Sequence, residues 1–180
     1  MIPEKMALGI MTLGMSLATF TLVHVLISLV GIVSGFLVFY GLLKGRRMDG
    51  GTALFLATTV LTSLTGYGFP FTHLLPSHIV GAISLAALAM AIYARYAQRL
   101  AGGWRRTYVI SAAIALYLNV FVLVVQMFEK VPALHALAPT QKEPPFAIAQ
   151  LLVMIAFIVL TVMAVKRFRA QPAIPIARAA

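Results

Sequence analysis

The chain has 180 residues, 62% of them hydrophobic and 10% charged, with a formal net charge of +10 and no cysteine. A water-soluble domain is nearer half apolar and a quarter charged, so composition excludes an ordinary soluble globule, and no soluble basic domain exists to carry a nucleic-acid interface. The missing cysteines exclude thiolate metal sites, iron–sulfur clusters, disulfides and haem attached through Cys-x-x-Cys-His.

The apolar residues are arranged in blocks. Residues 1–16 read as an N-terminal extension, with an interfacial helix expected around Met6–Ser16. No charged side chain occurs from Met6 to Leu43, far longer than a signal-peptide core, so the segment is expected to be uncleaved. A first span is expected over Thr19–Leu43, stopped by Lys44, Gly45, Arg46 and Arg47. A second, short and rich in Thr, covers Thr52–Phe69. The third covers Ser77–Tyr96, the fourth Arg106–Phe128 and the fifth Phe146–Val165. About 20 helical residues cross the hydrocarbon of a bilayer, so each block qualifies, the second marginally. The expected fold is an all-α transmembrane bundle of five spans over residues 17–170, followed by a flexible tail, 171–180.

Orientation follows from the basic residues. Lys44, Arg46, Arg47, Arg95, Arg99, Arg105, Arg106, Lys166, Arg167, Arg169 and Arg178 fall on one side of this threading. Only Lys5, Lys130 and Lys142 fall on the other. The richer side is expected to be cytoplasmic, which puts the N-terminus outside and the C-terminus inside. Two loops then face outward, Pro70–Pro76 and Glu129–Pro145.

Helical periodicity gives the packing faces. His24, Ser28, Gly31 and Gly35 follow one another at spacings of four, three and four, so they share a face of the first span. Gly31-x-x-x-Gly35 permits close approach of a second helix. Ala112, Ala115, Asn119 and Gln126 share a face of the fourth span, and an amide at the depth of Asn119 needs a partner.

All four histidines gather at the outer side: His24 and His78 near span ends, His73 and His135 in the loops. Three readings follow. His24 and His78, from different helices, would ligate a b-type haem. His24, His73, His78 and His135 together would bind zinc or copper through neutral imidazoles. Or the histidines are structural, bonding carbonyls and headgroups. No His-x-x-x-His or His-Glu-x-x-His spacing supports a ready metal site, and no span carries a charged residue at its middle, which disfavours a proton relay. No catalytic motif is present.

Leu75-Pro-Ser-His-Ile-Val-Gly81, Ala115-Leu-Tyr-Leu-Asn-Val-Phe121 and Ala138-Pro-Thr-Gln-Lys-Glu-Pro-Pro-Phe146 resemble segments of a group of small multi-pass bacterial inner-membrane proteins without an assigned activity. The resemblance implies that placement in the bacterial inner membrane and brings no catalytic residues. The leading expected function is a small membrane subunit with a redox or metal role at its outer face; the alternative is a structural or accessory membrane protein with no cofactor. The bilayer is the one partner that composition demands. Other membrane subunits or further copies of the chain are candidate partners, and nucleic acid is not.

Overall fold

The computed structural model describes residues 11, 12, 15–70 and 76–168. His73, the first ten residues and the tail expected over 171–180 lie outside the described residues. Met11–Thr12 (β1) and Met15–Ser16 (β2) pair as a small antiparallel ribbon, where an interfacial helix is expected from the sequence. Ser16 then ends the ribbon and opens the first helix: its side chain accepts a hydrogen bond from the Thr19 amide at 3.2 Å, which satisfies one of the free N–H groups of the first turn.

The remaining described elements are helices. The helices are α1 (Leu17–Leu43), α2 (Asp49–Gly66), α3 (Pro76–Ile92, continued by a π-helical turn over Tyr93–Ala97), α4 (Trp104–Lys130), the short α5 (Pro132–Leu137) and α6 (Pro144–Arg167). Prolines sit in the first turn of both α5 and α6, where the missing N–H costs nothing. Among the described residues, four helical stretches are long and apolar enough to cross a membrane: Leu17–Leu43, Pro76–Ala97, Trp104–Lys130 and Pro144–Arg167. These make the chain an all-α, multi-pass membrane protein. The remaining long helix, α2, is less apolar, with five Thr, one Ser and three Gly in its 18 residues.

Helices α1 and α2 form an antiparallel hairpin whose register holds along its length. Gly41 lies against Met48, Gly35 against Phe55, Gly31 against Thr59, His24 against Thr65, and Phe20 against Gly68. The glycines set this closeness. A Cβ on Gly35 would stand 2.6 Å from Leu116 Cδ1 and 3.0 Å from the Phe55 ring, inside van der Waals contact. Gly31 and Gly35 both lie against α2, and α4 reaches them through Asn119 and Leu116. Helix α4 is the centre of the bundle, buried along Tyr108, Ala112, Ala115, Leu116 and Asn119. Gln126 shares that face two turns on, yet it is exposed. Periodicity gives the direction of a side chain and not what covers it.

Candidate functional site

Polar side chains collect at two ends of the bundle and at one level between them. At the histidine end, α1 aims His24 at α2. His24 Nδ1 lies 2.8 Å from Thr65 Oγ1. The Thr65 hydroxyl already donates its hydrogen to the Leu61 carbonyl at 2.7 Å, so it accepts from the imidazole. A neutral His24 therefore carries its proton on Nδ1 and its lone pair on Nε2. The ring also meets Phe69 edge to face, with centroids 5.1 Å apart, and the Ser28 hydroxyl donates to the His24 carbonyl at 2.7 Å.

His78 lies buried in the first turn of α3. Its ring stacks on Tyr67 at 5.4 Å, and the Tyr67 hydroxyl donates to the His78 carbonyl at 2.6 Å. Gly81 makes room for the tyrosine, since a Cβ there would come within 3.2 Å of the ring. His24 and His78 thus reach the same short segment, Thr65–Phe69, but meet different residues of it. His135 stands elsewhere. It is exposed on α5 and donates from Nδ1 to the Phe128 carbonyl at 3.3 Å. Nearby, Gln141 ties the loop to α4 by donating to the Val125 carbonyl at 3.2 Å. Glu143 closes the same loop. Partial desolvation works to raise its pKa, but hydrogen bonds from the Thr140 hydroxyl, the Thr140 amide and the Lys142 amide outweigh it and hold the carboxyl below the usual glutamate range.

Among the described residues, no three of His, Asp or Glu converge closely enough to hold a metal ion. The four imidazoles form a group in the sequence because all are expected on one side of the membrane. In the structure His135 bonds the Phe128 carbonyl, while His24 and His78 have separate aromatic neighbours, Phe69 and Tyr67.

The opposite end holds an arrangement that the sequence pattern does not reveal. Arg95, read there only as a marker of topology, is buried, and its guanidinium pairs with Asp49 at the start of α2; the side chains are 7% and 83% exposed. The guanidinium also lies over the Tyr108 ring, 5.3 Å from its centroid, and 5.8 Å from that of Tyr96. Tyr108 in turn donates to Thr52 Oγ1 at 3.4 Å. One arginine therefore joins α2, α3 and α4. The available signal was Asp49, the only aspartate in the chain and the only acidic residue amid the basic cluster. A carboxylate at a helix N-terminus also complements the helix dipole.

Midway between the ends, α2 presents Thr59 and Ser63 to its neighbours. Ser63 donates to Ser84 of α3 at 3.1 Å. Asn119 of α4 faces Gly31 and the Thr58–Thr59 pair. No family model, curated protein or solved structure matches the chain.

Proposed function

We propose that the chain is a five-span accessory subunit of the bacterial inner membrane, with its N-terminus outside, its C-terminus inside, and its histidines acting as helix fasteners. The observation that carries the fastener reading is that each described histidine has a different protein neighbour. His24 bonds Thr65, His78 stacks on Tyr67, and His135 bonds the Phe128 carbonyl. A shared ion would need one ring nitrogen of each to converge on a single point. The apolar side chains that α6 leaves exposed, Leu151, Leu152, Ile155, Ile158 and Val159 among them, suit contact with lipid or a neighbouring membrane subunit.

The fifth crossing rests on the hairpin register. Helix α2 follows α1 from Gly41 to Phe20 without slipping, and 18 residues rise about 27 Å, close to the hydrocarbon thickness of about 30 Å. Basic residues then accumulate mainly at one end, with only Lys5, Lys130 and Lys142 at the other, which supports the inside assignment of the richer end. Tags test this directly. A reporter after Ala180 should read cytoplasmic, and reporters at Met1 and at Thr140 should read periplasmic. A cytoplasmic signal from both termini would reduce the spans to an even number. A cytoplasmic signal at Thr140 would reverse the orientation.

One observation favours a second reading, a haem or metal held by His24 and His78. The bond to Thr65 leaves the lone pair of a neutral His24 on Nε2, and a ligating histidine is commonly oriented by such a bond at its other nitrogen. Visible spectra and metal analysis of purified wild type, His24→Ala and His78→Ala separate the two. A Soret band or stoichiometric metal lost in both variants establishes the cofactor reading. Colourless, metal-free protein from cells replete in iron, zinc and copper leaves the accessory reading.

A further inference from the structure

At the Arg95 end of the bundle, the turn after α1 meets the end of α6. Gly45 makes that turn, with a φ of +68° that closes the helix in the left-handed form. The Arg46 N–H donates to the Gly41 carbonyl at 2.9 Å, and the Gly45 N–H to the Leu42 carbonyl at 3.0 Å. A Cβ on Gly45 would lie 3.7 Å from the Arg167 carbonyl oxygen, an ordinary contact distance. The fold thus brings Lys44, Arg46 and Arg47 beside Arg167, which comes from the far end of the chain. All four are exposed. Among the described residues none of the four pairs with a carboxylate, and Asp49, the acidic residue of this end, is taken by Arg95. The C-termini of α1 and α6 offset part of the charge. Each helix end carries about half a negative charge, so about three of the four positive charges remain. Below the cluster, α1 and α6 pack through Phe36 and Phe157, with ring centroids 6.0 Å apart. Both helices leave apolar side chains exposed there, Val33 and Leu37 on α1 and Ile158 and Val162 on α6.

We infer that Lys44, Arg46, Arg47 and Arg167 dock the headgroup of an anionic phospholipid, whose acyl chains lie along the exposed side chains of α1 and α6. The surface selects this partner. The cations call for negative charge, and the helices beneath them call for hydrocarbon. An anionic phospholipid carries both, whereas a free phosphate meets only the first need. Guanidinium groups also match phosphate oxygens in pairs, and basic clusters of this size at the end of a span suit anionic lipid. The inference rests on the placement of the chain in a membrane and stands whether or not the subunit is an accessory one.

Native mass spectrometry of the full chain, released from micelles holding equal amounts of phosphatidylglycerol and phosphatidylcholine, counts the lipid retained. Wild type should keep one phosphatidylglycerol at least tenfold more often than phosphatidylcholine. A cation near an anionic lipid surface is worth about fivefold in affinity, so Arg46→Gln with Arg167→Gln should cut that preference by roughly twenty-five-fold. Arg99→Gln with Arg106→Gln removes the same charge from exposed positions of the α3–α4 turn, and should change it by less than about twofold. Should the first pair fail to fold, Lys44→Gln with Arg47→Gln should reproduce its effect. Equal retention of the two lipids by wild type overturns the inference. Equal losses in the two arginine pairs mean diffuse attraction without a docking place, and overturn it too. Displacement of the lipid by inorganic phosphate at constant ionic strength assigns the cluster to a free anion, with the same consequence.

Discussion

Helices α4 and α6 are both long enough to cross a membrane, and α6 is the more apolar of the two, yet 44% of the span window is buried in α4 against 11% in α6. In water the more hydrophobic helix would be expected inside. In a bilayer, lipid is as apolar as leucine, so hydrophobicity gives a helix no reason to seek the interior. What separates the two is their small and polar residues. Helix α4 offers Ser111, Ala112, Ala113, Ala115 and Asn119, which let neighbours approach or bond. Helix α6 offers Leu151, Leu152, Ile155, Ile158 and Val159, and leaves them outside.

The largest expected effect falls where small residues set the distance between helices. Gly35→Leu should destabilise the bundle by about 3 kcal/mol or more, because its Cβ alone already collides with Leu116 and Phe55. Gly41→Leu should cost less: its Cβ meets the flexible end of Met48, 2.6 Å away at Sδ, which can swing aside. Thermal melting in detergent that ranks the two equally would break the comparison between a packed face and its margin. Next comes the arginine end. Asp49→Asn leaves buried Arg95 with Tyr108 and Tyr96 but without its carboxylate. A loss of about 1–2 kcal/mol is expected, between an exposed pair and a fully buried one because Asp49 faces solvent. Melting indistinguishable from wild type would show that the aromatic rings suffice. His24→Ala should cost about 0.6–1.7 kcal/mol, the range for interhelical hydrogen bonds in membranes, and Thr65→Val should add little to it in a double-mutant cycle. Full additivity of the two would deny the bond. The smallest effect belongs to α6. Leu152→Ala, on a residue 62% exposed, should shift stability by less than about 0.5 kcal/mol. A large loss there in lipid, absent in detergent monomer, would reveal a partner covering α6.

How much of this was legible before the structure differs from residue to residue. The pairing of Gly31 and Gly35 with another helix could be read from spacing, because an α-helix repeats every 3.6 residues and small residues invite approach. Which helix would arrive could not be read, and it proved to be α2 together with α4. The threading put the histidines together as an expectation, but the partners of His24, His78 and His135 could not be read from it: Thr65, Tyr67 and the Phe128 carbonyl come from other segments of the chain. The burial of Arg95 could not be read from the sequence pattern. Counting basic residues assigns a side of the membrane and is blind to burial. By itself the sequence determined the solvent, the helical architecture and the faces that hold small residues, since these depend on composition and period along one chain. Only the tertiary structure decided that α6 stays outermost, that Arg95 turns inward to Asp49, and that Asn119 faces Gly31. Those outcomes depend on which side chains from distant segments meet, and in a bilayer no hydrophobic ordering along the chain dictates that choice.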